Sequence, residues 1–204
     1  VRALPVAFGD AAWRVAIPEG ADARAVLGVL QAIPGALDAV VCERHGLLTF
    51  DPKAPVSSEA VILALEQALA TGPSAESPRV HVVPVLYDGV DLDDIARSSN
   101  LPRRDVIAIH AAAEYRVVCL GFLPGFAYLR GLDARLHVAR RATPRPRIAP
   151  LSVAIAGPYA GVYPFASPGG WNILGTAQNF TPFDGSRGAA WSLGDRVRFD
   201  PRGS

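Results

Sequence analysis

Tyr115-Arg116-Val117-Val118-Cys119-Leu120-Gly121-Phe122-Leu123-Pro124-Gly125-Phe126 opens the part of the chain that decides its fold, and Tyr163-Pro164-Phe165-Ala166-Ser167-Pro168-Gly169-Gly170-Trp171 closes it. Each is an apolar, strand-like run cut off by glycine and proline. Between them lie six arginines (Arg130, Arg135, Arg140, Arg141, Arg145 and Arg147) against one acid, Asp133. A rigid sheet that presents backbone amides and guanidinium forks to an anionic ligand has this pattern.

Outward from this stretch, Val106–His110, Ser152–Ala156, Gly161–Tyr163, Trp171–Leu174 and Arg196–Phe199 also read as strands, the last introduced by a Gly194-Asp195 turn. One helix, from Leu92 to about Ser98 and capped by Asp91, interrupts them. Many short strands with so little helix predict a closed or nearly closed β-barrel over residues 86–204. The first half has a different rhythm. A strand at Ala12–Ile17, closed by Pro18 and Gly20, leads to a helix capped by Asp22 that carries Val26, Val29, Leu30 and Ile33. Strands at Leu37–Glu43 and Leu47–Phe50 flank a His45-Gly46 turn. A helix begun at Ser57 or Ser58 carries Val61, Ile62, Leu65 and Leu69, and a polar linker, Thr71–Pro78, precedes a strand at Arg79–Val85. Strand, helix, strand, strand, helix, strand is the order of a ferredoxin-like sandwich, expected over residues 1–85. The fold class is therefore α+β followed by mostly β.

Composition narrows the function classes. The chain has 204 residues, half of them hydrophobic, enough for a substantial core. No apolar run approaches the roughly 18 residues of a membrane span. There is no methionine, so position 1 need not be the natural start. Cys42 and Cys119 are too few and too far apart for a disulfide framework, which makes a reducing cytoplasm the expected compartment. Residues 1–100 hold 7 basic and 13 acidic side chains, residues 101–204 hold 13 and 6, and this asymmetry points to two units with different partners. Every basic residue except Lys53 is arginine, and the aromatics lie beside glycines rather than in an exposed basic patch, which argues against nucleic acid.

The familiar catalytic signatures are absent. No Gly-Lys pair forms a phosphate loop, and no Gly-x-Gly-x-x-Gly follows a strand. Gly-x-Ser-x-Gly and Cys-x-x-Cys are also missing, and the histidines lack zinc-helix spacing. Asp88, Asp91, Asp93 and Asp94 miss the EF-hand pattern and are explained by helix capping, so no metal is expected. His110 reads as a structural hydrogen-bonding residue. The candidate ligand-binding residues come from three segments. Gly121, Gly125 and Phe126 form either a barrel corner or a row of amides walled by aromatic rings. Arg140 and Arg145, with Arg141 and Arg147, sit among prolines in a solvated basic loop, a docking surface for an acidic partner, or an anion clamp. Ser167, Gly169, Gly170 and Trp171 form either a tight connection or an N–H-lined loop. No residue is assigned a catalytic step.

Several of these segments resemble one family. Val83-Pro84-Val85-x-Tyr87-Asp88-Gly89-x-Asp91-Leu92 and Gly121-Phe122-Leu123-Pro124-Gly125-Phe126-x-Tyr128-Leu129 are similar to motifs of the B subunit of bacterial 5-oxoprolinase, also called KipI or allophanate hydrolase subunit 1. So are Arg140-Arg141-x-x-Pro144-Arg145, Val153-x-Ile155-Ala156-Gly157, Gly161-Val162-Tyr163-Pro164, Ser167-Pro168-Gly169-Gly170-Trp171 and Gly194-Asp195-x-Val197-x-Phe199. The resemblance implies a ferredoxin-like unit followed by a cyclophilin-like barrel. It also implies an ATP-dependent opening of 5-oxoproline to glutamate, performed with a homologous C subunit and a separate A subunit. ATP enters as cosubstrate, with or without Mg, and no tightly bound cofactor is expected.

Two other functions belong to similar proteins: inhibition of a sensor histidine kinase, and a carboxyltransferase part of a urea carboxylase. The chain also departs from the family pattern. Leu151 stands where a glycine is usual, Tyr159 and Ala160 replace a Gln-Thr pair, Thr176 replaces an arginine, and Ala139 replaces a proline. These losses are expected to fall in the pocket wall and to alter substrate preference or activity.

Overall fold

In the computed structural model, which describes residues 4–17, 21–72 and 77–202, the chain divides into two compact units, Val1–Ser77 and Pro78–Ser204. The first unit contains β1 (Val6–Ala7), β2 (Ala12–Ala16), α1 (Ala23–Gln31), β3 (Ala36–Cys42), β4 (His45–Phe50) and α2 (Ser58–Thr71). Its strands pair antiparallel in the order β1-β2-β4-β3. The Asp22 carboxylate accepts the Arg24 N–H at 2.8 Å and the Ser57 hydroxyl accepts the Ala60 N–H at 3.2 Å, so both helices begin at side-chain caps. Val26 and Leu30 of α1, with Val61 and Leu65 of α2, are buried beneath them. The expected stop at Pro18 and Gly20 and the centre of the Thr71–Pro78 linker lie outside the described residues.

The second unit contains β5 (Val80–Leu86), α3 (Leu92–Ser98), α4 (Arg103–Ala112), β6 (Tyr115–Leu120), β7 (Ala127–Arg130), a 3-10 turn (Ala134–Leu136), β8 (Arg145–Ile148), β9 (Ser152–Ala156), β10 (Tyr159–Val162), β11 (Ser167–Gly169), β12 (Asn172–Ala177), β13 (Phe183–Asp184), β14 (Gly188–Ala189) and β15 (Arg196–Arg202). Seven strands close into a barrel in the order β10-β7-β6-β15-β5-β12-β9. Val83, Val85, Val117, Leu129, Val153, Ile155, Val162 and Phe199 fill its core. β8 pairs with β11, and β13 with β14, as two ribbons separate from the barrel. β9 is buried along its whole length, because Val153 and Ile155 join the barrel core while Ala154 and Ala156 join a second, aromatic cluster.

Two expectations are corrected. The strand predicted at Arg79–Val85 does not complete the first sheet, and the domain boundary falls between Ser77 and Pro78 rather than after residue 85. β5 runs parallel to β15, from Val80↔Arg196 to Leu86↔Arg202, and antiparallel to β12. The fourth strand of the first sheet is β1, which lies beside β2. Val106–His110, predicted as a strand, lies inside α4. Val106 and His110 are the buried residues of this helix, one turn apart, and Asp105 sits in its first turn.

Candidate functional site

The aromatic cluster on the outer face of β9 is built around Phe126. Its ring meets Phe122 at 5.4 Å, Tyr128 at 5.1 Å, Tyr163 at 5.4 Å and Trp171 at 5.5 Å, all edge-to-face. The turn from Gly121 to Phe126 makes this possible. Gly125 has φ +79°, and a Cβ there would lie 2.6 Å from the Pro182 carbonyl oxygen, so only glycine fits. Phe122 itself has φ +73° and is 57% exposed, which leaves its ring at the mouth of the cluster.

The arginine segment is tied to the opposite wall. The Arg141 N–H donates to the Gly170 carbonyl at 2.8 Å, and β8 pairs with β11 through Ile148↔Ser167 and Arg145↔Gly169. A cavity of about 100 Å³ results, lined by Phe122, Phe126, Tyr128, Arg140, Tyr163 and the Pro168–Trp171 loop. The Arg140 guanidinium stands 6.0 Å from the centre of the Trp171 ring and has no acidic partner among the described residues. Gly169 is there for space, since a Cβ would meet the Tyr163 hydroxyl at 2.5 Å. Burial pushes the Tyr163 phenol up to about 12, against the pull of the Trp171 N–H and the Arg140 charge. At neutral pH it is a donor.

Arg145 and Arg141 have a different task. Asp91, almost fully buried, accepts Arg145 Nη2 at 2.7 Å and Arg141 Nη1 at 2.9 Å on Oδ1. Its Oδ2 accepts Arg145 Nη1 at 2.9 Å and the Ile173 N–H at 2.8 Å. Burial alone would raise this carboxyl. The Arg145 hydrogen bonds, the Ile173 N–H and the two guanidinium charges outweigh it and hold it below the usual range.

Among the sequence-predicted residues, the cavity brings together Phe126, Arg140, Gly169, Gly170 and Trp171. Gly121, with φ +156° and open space around its would-be Cβ, precedes the aromatic turn without lining the cavity. Gly125 faces Pro182 and Phe183 and accepts the Trp191 indole N–H at 2.8 Å. Ser167 is buried beside Ile148, and its hydroxyl has no partner among the described residues. Arg145 lines a second cavity of about 360 Å³ with Asp88, Arg147, Ser152 and Thr176. Sequence reasoning passed over Tyr128 and Tyr163. The Gly161-Val162-Tyr163-Pro164 motif was the available signal. His110 is fully buried, 2.7 Å from the Tyr87 hydroxyl through Nδ1 and stacked on Phe199, and burial lowers it to about 3. It is a neutral structural residue, far from solvent.

The profile of the carboxyltransferase domain, subdomain C and D, matches residues 3–190. The B subunit of 5-oxoprolinase from Haemophilus influenzae is 36% identical over 149 residues, covering 71% of this chain and 70% of that protein. The chain belongs to the family of 5-oxoprolinase B subunits. The member from Escherichia coli O157:H7 is 43% identical over 125 residues, which are 59% of this chain and 57% of that protein. The solved structure of TTHA0988 superposes with a TM-score of 0.78 at 35% identity, covering 95% of this chain and 40% of that one. This chain thus spans little more than half of the E. coli member and less than half of TTHA0988.

Of the positions where the sequence departs from the pattern of 5-oxoprolinase B subunits, Leu151, Tyr159, Ala160 and Thr176 do not line the aromatic cavity, while Thr176 lines the second cavity with Arg145. Ala160 is in the barrel core, and Leu151 packs against that core with φ +63°. Thr176 donates to Asp88 at 3.0 Å in the second cavity. Tyr159 stands one layer behind the wall, edge-to-face with Tyr128 at 5.9 Å. Side chains on a strand alternate between faces, and the sequence alone did not show which face met the cavity.

Proposed function

We propose that this chain is the B-type component of an ATP-dependent 5-oxoprolinase, a ferredoxin-like unit joined to a cyclophilin-like barrel, and that its aromatic cavity seats the ring of 5-oxo-L-proline. The observation that carries this reading is the cavity itself: about 100 Å³, walled by aromatic rings, with Arg140 at its edge and without an acidic partner among the described residues. A five-membered ring fits such a volume, and a guanidinium fork matches its carboxylate. A nucleoside triphosphate does not fit, because ligands of drug size occupy roughly 300–1,000 Å³. ATP is therefore not assigned to this cavity. Because a cyclic amide is a poor electrophile, the terminal phosphoryl group of ATP is transferred to the amide oxygen. This releases ADP and makes the carbonyl carbon open to water. Water adds to that carbon and the ring C–N bond breaks, leaving an acyl phosphate, which a second water hydrolyses to glutamate and phosphate. A homologous C subunit and a separate A subunit are the proposed partners, and the complex is proposed to be cytoplasmic. Among the described residues no helix is long and apolar enough to cross a membrane.

Assembly with the partner subunits should give glutamate formation that requires both ATP and 5-oxo-L-proline. Arg140→Ala should lower kcat/KM by about 10- to 100-fold, the loss of one charge-assisted hydrogen bond. An assembled complex that forms glutamate at the same rate with Arg140→Ala would remove the cavity from the reaction.

A further inference from the structure

We propose that Tyr163 is the hydrogen-bond donor that reads the ring carbonyl of the acid in the aromatic cavity, a proposal that rests on the cavity assignment above. Every other aromatic ring in the lining comes from Phe122, Phe126, Tyr128 or Trp171, and the phenylalanines have no polar atom to offer. The Tyr163 side chain is almost completely buried, yet its hydroxyl reaches the lining at Gly169, where the missing side chain makes room for it. Among the described residues the Tyr163 proton has no acceptor. A hydroxyl that opens onto the cavity with its proton unpaired among the described residues is placed to donate to a ligand oxygen. Arg140 lines the same cavity, so one small molecule can meet a cation and a neutral donor at once. A ring bearing both a carboxylate and a carbonyl oxygen has the matching chemistry. A ring acid without the carbonyl leaves the Tyr163 proton unpaired, which is how a polar site rejects an analogue that lacks its partner group.

The test crosses two ligands with two side chains in the full chain. The affinities of 5-oxo-L-proline and cyclopentanecarboxylate are measured by calorimetry for the wild type and Tyr163→Phe. The wild type should prefer 5-oxo-L-proline, and Tyr163→Phe should weaken that ligand by about tenfold or more while leaving cyclopentanecarboxylate unchanged. The ¹³Cζ resonance of Tyr163 should move with 5-oxo-L-proline alone, which a merely structural tyrosine would not do. Equal weakening of both ligands, or of neither, overturns the proposal. So does a wild-type chain that binds neither acid, which removes the cavity assignment as well. If selective binding is found but the assembled complex makes no glutamate, the Tyr163 proposal stands and the 5-oxoprolinase reading falls.

Discussion

Asp91 occupies the N-cap position of α3, yet its side chain caps nothing. Its four acceptor positions are taken by two guanidinium groups and the Ile173 N–H, which joins the start of α3 to β8 and β12. Replacing it by Asn keeps the shape and removes the charge, leaving Arg141 and Arg145 facing a neutral amide. A broken buried pair of this kind costs about 3–5 kcal/mol. Asp91→Asn should therefore lose most of that amount in denaturant unfolding at pH 7. The folded carboxyl is held below its unfolded value of about 3.9, so its contribution is complete above that pH and is lost as pH falls through the folded value. The gap between wild type and Asp91→Asn should accordingly narrow only below about pH 4. The sequence showed a helix start at this residue but not its partners, which lie 50, 54 and 82 positions away. Spacing rules describe neighbours along the chain, and a long-range ion pair leaves no local pattern. For the same reason Arg145 read as free for a ligand, whereas Arg140, its neighbour in the same segment, has no acid beside it among the described residues.

At the scale of elements, turns were easier to read than the periodicity of short runs. Val106-Ile107-Ala108-Ile109-His110 fits alternation as well as it fits a helical face, and five residues are too few to separate the two. The Gly121–Phe126 turn was legible because glycine and proline restrict backbone geometry locally. It positions Phe126, and Gly125 places its carbonyl under the Trp191 indole. Gly125→Ala introduces a Cβ at positive φ and sets it against Pro182 and Phe183. The strained φ alone costs on the order of 1 kcal/mol, and the backbone contact adds to it. This variant should unfold earlier than Gly157→Ala, whose glycine has φ +53° but open space around it, and should shift Trp191 fluorescence in the native state. Equal losses from the two variants would show that the Pro182 contact is absorbed without cost.

At the scale of the whole molecule, the layout of the barrel depends on one strand that sequence order assigns to the wrong unit. Strand, helix, strand, strand, helix, strand is satisfied in sequence, but the first sheet already has an edge at β1. Hydrophobic alternation in Val80–Leu86 shows that a strand exists and is silent about which sheet receives it. Its actual neighbours are β15, about 116 positions along the chain, and β12. Without β5 both of these strands would expose unpaired backbone, and the barrel core would lose Val83 and Val85, each fully buried. The Arg79 N–H and His81 Nε2, which meet the buried Asp195 at 3.0 and 2.8 Å, would go as well, leaving that carboxylate with the Ser192 N–H alone from this set. A fragment of residues 78–204 should therefore unfold cooperatively and give dispersed amide resonances. A fragment of residues 86–204, the barrel as delimited by sequence, should lack cooperative unfolding and aggregate through its open edges. If the shorter fragment folded as well as the longer one, closure through β5 would not be what holds the barrel together, and the aromatic cavity on the outer face of β9 would have to owe its geometry to the β8–β11 ribbon and the Asp91 pairs instead.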